Sequence, residues 1–256
     1  MAIDFFTATQ ETIRTLNATE RTLFDYVVKN MDEVKHMSIQ RLAEVHFLST
    51  TTIFRFTQKL GFSGYADFVN SLLVTSHSLQ DNALPEISVG RDYGEKYLKN
   101  AMEAVRVMSP KSVEDVAAHL DRKPNIYILT DDNTHAIGQY VERLFIGLGF
   151  HAYFPETAYQ MQNLVNRISG DDMIVALSYS GEDAVLIDFI QRVFLNRKPY
   201  LMSITRADNN PLESLSDTNF YVFADEIRAV GMDLTSSVTM LMIVELLVYE
   251  YISRSK

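Results

Sequence analysis

Two polar stretches of this 256-residue chain hold side chains that could do chemistry. The first is Ser49-Thr50-Thr51-Thr52, followed by Arg55, Lys59 and Gly64. Hydroxyls and a guanidinium at the start of a helix suit contacts to nucleic acid, and an arginine can hold guanine through two parallel hydrogen bonds. Lys59 and Gly64 would then lie nearer the phosphates. The second is Ser178-Tyr179-Ser180-Gly181-Glu182-Asp183, directly after the apolar run MIVAL. Two serines, a glycine and a helix start form an oxyanion nest: backbone N–H groups point outward, the helix dipole favours negative charge and the hydroxyls complete the shell. The plainer role for Ser178 and Ser180 is to cap that helix. A companion loop, Thr130-Asp131-Asp132-Asn133-Thr134, follows the apolar run NIYIL.

The elements around the first stretch read as a helix, a tight turn and a second helix over residues 38–61. Ser38 caps the first helix, and Leu42, Ala43 and Val45 pack it. His46-Phe47-Leu48 is the turn, and Ser49 is the N-cap of the second helix. Ile53, Phe56 and Leu60 share one inward face. Thr50, Thr51, Thr52, Arg55, Gln58 and Lys59 are left outward or at the helix start, although the helical phase also allows Thr51 and Thr52 to pack partly inward. Gly61 stops the helix. This is the layout of a helix-turn-helix, whose second helix enters the DNA major groove with its first residues against base edges. An ordinary helical hairpin has a similar pattern. Residues 16–30 predict a supporting amphipathic helix with Thr19 as its N-cap, and residues 61–73 a glycine turn into a further helix.

The second stretch lies in a different kind of pattern. Residues 79–92 read as a linker holding Pro85 and Gly90. Two helices follow over 93–120, broken near Ser109-Pro110. Beyond Pro124, the short apolar runs 125–130, 151–155, 173–178, 200–205 and 220–223 alternate with helical segments at 135–148, 157–168, 183–196 and 211–217. Continuous apolar strands alternating with helices predict parallel β-α-β units buried on both faces. The fold class is therefore α/β: an N-terminal all-α domain over 1–78 and a C-terminal α/β/α domain over 93–256, with a five-stranded parallel sheet closed by a long helix at 238–252.

Composition excludes several classes. The chain has no cysteine, so it has no disulfide framework, thiolate metal site or cysteine nucleophile, which fits a reducing cytosol. No signal-type segment opens the chain, and the longest apolar run is interrupted by Glu245 and Glu250, so a cytoplasmic protein without membrane contact is expected. The net charge of −10 is uneven: residues 1–80 hold 7 Lys/Arg against 8 Asp/Glu, and the remainder 16 against 25. A near-neutral small domain attracts phosphate weakly per subunit, so useful affinity for duplex DNA calls for a dimer. The acidic remainder would not lie on DNA.

LNATERTLFDYVVKN, SIQRLAEVHFLSTTTIFRF and QKLGFSGYADF together resemble the N-terminal domain of the RpiR family of bacterial transcription regulators, over about residues 1–78. The family's turn usually reads Gly-Val-Ser, where this chain has Phe47-Leu48-Ser49. SYSGE, after its strand, resembles the signature of the SIS, or sugar isomerase, domain over about residues 107–252. The resemblance implies a transcriptional regulator of sugar metabolism whose SIS domain binds a sugar phosphate effector and mediates homodimerisation, with no cofactor and no metal. It implies DNA contacts from Ser49, Thr50, Thr51, Thr52, Arg55, Lys59 and Gly64. It implies effector contacts from Asn133, Thr134, Ser178, Ser180, Gly181, Glu182, Asp183, Glu226 and Arg228, with Arg206 as a further phosphate partner.

The sequence departs from the SIS pattern in its first loop, where Gly-x-Gly-x-Ser falls on Thr130, Asp132 and Thr134. Asp131 and Asp132 would repel a phosphate unless they face away. Asp183 stands where a hydroxyl is common, and the Thr235-Ser236-Ser237-Val238 stretch lacks the family's arginine. Two alternatives follow: a regulator whose SIS domain only dimerises or binds an unphosphorylated ligand, and an aldose-ketose isomerase. The latter needs a general base beside a sugar carbon, for which Glu226 and His151 are the candidates.

Overall fold

The computed structural model describes residues 5–9, 12–80, 91–230 and 232–254. They form two compact units, one within 1–109 together with 207–209, the other within 110–206 and 210–256.

The first unit is helical: α1 (Phe5–Thr9), α2 (Ala18–Lys29), α3 (Met31–Val34), α4 (Ile39–Val45), α5 (Thr50–Lys59), α6 (Tyr65–Gln80) and α7 (Arg91–Arg106). Side chains cap the starts of α2, α4 and α5. Asn17, not Thr19, caps α2. Its Oδ1 accepts the Glu20 N–H at 2.9 Å, and Glu20 Oε2 accepts the Asn17 N–H at 2.8 Å. The reciprocal box needs Glu three positions past the cap, and only Asn17 has that spacing. Ser38 and Ser49 cap α4 and α5 as expected, accepting from the Arg41 and Thr52 N–H groups at 3.2 and 3.1 Å. Leu42, Ala43, Ile53, Phe56 and Leu60 are buried, while Val45 is only half-buried. Phe5 packs on Phe24 and Phe62 at ring distances of 5.7 and 6.2 Å, with Phe68 edge-on at 6.0 Å. Each buried ring contributes about 1.5–3 kcal/mol.

The turn between α4 and α5 is strained. Phe47 takes φ 54° with its ring 96% exposed. A left-handed backbone costs a non-glycine residue about 1–2 kcal/mol, and asparagine tolerates it better than most. The exposed ring contributes no burial in return. Phe47→Asn should therefore stabilise the unit by about 0.5–1 kcal/mol. Chemical denaturation of the two proteins measures this, and a lower midpoint for the variant would count against the strain.

Helix α7 belongs with this first unit. Lys99 donates to the Lys29 carbonyl at 3.3 Å, and the Arg106 guanidinium lies 5.6 Å from the Phe6 ring centroid. The second compact unit begins at Pro110. Of the expected linker, 81–90 lie outside the described residues, while 79–80 end α6 and 91–92 open α7.

The second unit runs α8 (Pro110–Leu120), β1 (Ile126–Thr130), α9 (His135–Gly147), β2 (Ala152–Tyr153), α10 (Ala158–Leu164), β3 (Met173–Leu177), α11 (Ala184–Phe194), β4 (Tyr200–Arg206), α12 (Pro211–Leu215), β5 (Thr218–Val222), β6 (Arg228–Ala229), β7 (Met232–Asp233) and α13 (Val238–Arg254). The five main strands are parallel in the order β2-β1-β3-β4-β5. Strand β3 is central and every residue in it is buried, as its unbroken apolar run requires. Leu129, Ile174, Ala176, Phe189 and Ile190 belong to one apolar cluster. Helix α13 packs with α8, α9 and β5. Gly138 lets α9 lie against the chain after β2, since a Cβ there would stand 2.3 Å from Phe154 Cε2. The antiparallel hairpin β6–β7 was not expected, because two residues per strand carry no periodic signal. Among the described residues no helix is long and apolar enough to cross a membrane.

Candidate functional site

The DNA-facing candidates sit at the start of α5. Ser49, Thr50, Thr51 and Arg55 are exposed, so of the two threonines the phase left open, Thr51 faces outward. Thr52 is half-buried, its hydroxyl 2.9 Å from that of Ser49. Lys59 is half-buried and its ammonium donates to Glu20 Oε2 at 2.5 Å, which ties the end of α5 to the α2 cap. Gly64 is half-buried and a Cβ there would lie 3.3 Å from Phe54 Cε2, which gives it a packing reason to be glycine.

His46 closes α4 beside this face. Its ring meets Tyr26 edge-on at 4.4 Å, and its Nε2 is buried without a hydrogen-bond partner among the described residues. Desolvation holds its pKa below the ordinary histidine value. A depressed folded pKa means that the fold accommodates the neutral ring. The associated stability is fully present above the unfolded pKa of about 6.5 and is lost as pH falls through the folded value. His46→Phe should therefore show a smaller drop in urea midpoint than the parent chain between about pH 7 and 5. Equal drops would remove His46 as a cause of acid sensitivity.

In the second unit a cavity of about 580 Å³ opens at the carboxyl ends of β1, β2 and β3. The loop after β1 supplies Thr130, Asp131 and Asp132, and α9 supplies His135. Pro155, Glu156 and Thr157 come from the chain after β2, Ala158 and Met161 from α10, and Asp183, Val185 and Leu186 from the start of α11. Its size and place suit a small-molecule pocket in an open parallel sheet.

The two sequence-predicted loops meet at Asp131, one of the residues that line this cavity. Ser178 Oγ donates to Asp131 Oδ2 at 2.6 Å and accepts the Gly181 N–H at 3.1 Å. The Thr134 N–H donates to Asp131 Oδ1 at 2.9 Å. Thr134 Oγ1 stands 2.8 Å from that same oxygen and 2.6 Å from the Leu177 carbonyl. Ser178 and Thr134 are fully buried. Ser180 Oγ accepts the Glu182 N–H at 3.2 Å, so it orders the turn. The cap of α11 is Asp183, not a serine: its Oδ1 accepts the Leu186 N–H at 2.7 Å.

The remaining candidates stand apart from the cavity lining. Arg206 pairs with Glu226 at 2.9 Å and Glu182 at 3.5 Å, and Arg228 lies 3.8 Å from Glu226. Asn133 is exposed and donates to Asp233 at 3.4 Å. His151 precedes β2 at the amino edge of the sheet, whereas Glu226 follows β5 at the carboxyl edge, so the two cannot share a substrate. Sequence reasoning missed His135, Glu156, Thr157 and Met161 as lining residues. The Pro-Glu-Thr stretch at the end of the second strand was the available signal, because ligands gather where parallel strands end.

A helix-turn-helix unit and a parallel-sheet unit with a strand-end cleft together define a transcriptional regulator of the type that pairs a DNA-binding domain with a SIS domain. Residues 5–76 match the model of the helix-turn-helix domain, rpiR family, and residues 119–249 match that of the SIS domain, and the chain belongs to the RpiR family of such regulators. Among curated relatives it is 26% identical to the HTH-type transcriptional regulator GlvR of Bacillus subtilis over 80% of this chain and 78% of that one. It is 20% identical to the HTH-type regulator HexR of Pseudomonas aeruginosa, over 93% and 85%. The Vibrio vulnificus NanR protein, solved as a complex with ManNAc-6P, shares its fold with TM-score 0.58 and 20% identity, covering 98% of this chain and 92% of that one. The sugar isomerase domain of an RpiR transcription factor from Sphaerobacter thermophilus also has TM-score 0.58, at 14% identity, over 66% and 92%.

Proposed function

We propose that the chain binds an operator as a homodimer through the start of α5, and that the strand-end cleft senses a carbohydrate effector. The observation that carries this reading is the exposed row of Ser49, Thr50, Thr51 and Arg55 on a doubly capped helix pair. Thr52 holds the cap, and Lys59 and Gly64 set the pose of the helix rather than meeting phosphate. The ManNAc-6P complex of NanR supports a sugar derivative as ligand class, and the cavity favours a sensor over a domain kept only for dimerisation.

The outer face of α13 suits self-association. Val238, Met242, Leu246 and Tyr249 recur at intervals of three and four residues, and Val238, Leu246 and Tyr249 are exposed. Two copies would place two recognition helices on two half-sites, and a ligand with unequal affinity for two dimer states would change operator affinity. Enrichment of duplexes from a random library by the wild-type chain, followed by binding titrations with and without sugars, tests the reading. Enrichment of a two-fold symmetric site is expected, and no enriched sequence would refute operator binding.

A further inference from the structure

The anion nest formed where the two loops meet already holds the protein's own carboxylate. Asp131 receives Ser178 Oγ at 2.6 Å on one oxygen and the Thr134 N–H at 2.9 Å on the other. Both donor residues are fully buried, and the Gly181 and Glu182 N–H groups of the same turn are spent on Ser178 Oγ and Ser180 Oγ. The start of α11, the other anion-favouring point, is likewise taken by Asp183. The remaining lining adds Asp132 and Glu156 and contains no lysine or arginine. Arg206, on the neighbouring loop, is held by Glu182 and Glu226. A dianion entering this cavity would meet the carboxylates of Asp131, Asp132, Glu156 and Asp183.

We propose that the cleft is specific for an unphosphorylated carbohydrate, with Asp131 acting as a built-in anion that occupies the phosphate position. The carboxylates then serve as hydrogen-bond acceptors for sugar hydroxyls or for an amino group, a role that needs no external anion. This rests on the reading of the cleft as a carbohydrate sensor and narrows its ligand class.

The test uses the full chain and calorimetric titration with matched pairs: hexoses, hexosamines and N-acetylhexosamines, each beside its 6-phosphate. Inorganic phosphate serves as a separate probe of the nest. The wild-type chain is expected to bind one unphosphorylated sugar at least tenfold more tightly than its phosphate and to ignore inorganic phosphate at millimolar concentration. Asp131→Gly, which vacates the nest, should gain inorganic phosphate binding and move the preference at least tenfold toward the ester. Asp131→Asn keeps the side-chain volume and should weaken phosphate exclusion without a full reversal, so a folding defect in the glycine variant does not decide the outcome. Tighter binding of an ester by the wild-type chain overturns the proposal. If no sugar binds but vacating the nest admits inorganic phosphate, the sensor reading falls and the nest assignment stands. If neither variant changes phosphate binding, the nest assignment is overturned.

Discussion

Gly181→Ala is expected to lower the stability of the second unit by about 2–4 kcal/mol, or roughly 6–12 °C in Tm. Two costs combine. Gly181 has φ +64°, where any residue with a Cβ is strained. The added methyl would also stand 2.1 Å from Asn210 Oδ1. That oxygen accepts the Glu213 N–H at 2.9 Å and so caps α12, and losing a cap costs about 1 kcal/mol. Gly149 supplies the control, with φ +82° and nothing within 4 Å of an added Cβ. Gly149→Ala should show the backbone cost alone, about 1 kcal/mol. Thermal melting of both variants separates the terms, and equal losses would mean that the loop and Asn210 are not in close contact.

Arg55→Ala should weaken binding to an enriched duplex by about 10–100-fold, the worth of one bidentate arginine contact to guanine. The side chain is exposed on the outer face of α5, so the loss should come without a change in melting temperature. Arg55→Lys would not restore affinity if the contact is bidentate, because an ammonium is a point charge. Lys59→Ala should give the opposite pattern: a small change in DNA affinity and a measurable loss of stability, because its partner Glu20 also closes the α2 cap. Fluorescence anisotropy with the same duplex decides between them. Unchanged affinity in Arg55→Ala would move the DNA-reading face away from α5.

The legible parts of the sequence were those with long, repeated signals. Ile53, Phe56 and Leu60 announce the inner face of α5, and the continuous run from Met173 to Leu177 announces the central strand. The cap of α2 was misplaced because Thr19 is also a capping residue type, whereas the spacing to Glu20 selects Asn17. The apolar face of α7 does not say in sequence which unit it covers. The cleft was legible in its two loops but not in its lining. Asp131 looked like a source of repulsion, and only three-dimensional placement makes it the acceptor for Ser178 and Thr134. Lys59 and Arg206 look like free cations in sequence because their partners are 39 and 20 residues away.

The Lys59–Glu20 bond has a consequence for signalling. It fastens the last turn of the reading helix to the first turn of α2, and the Phe5 ring stack closes the same bundle. Tilting α5 against α2 would disturb this ion pair and the α2 cap together. In the proposed homodimer, a message from an effector would then be delivered as a change in the separation or phase of two stiff heads, detectable as altered tolerance for spacer length between half-sites.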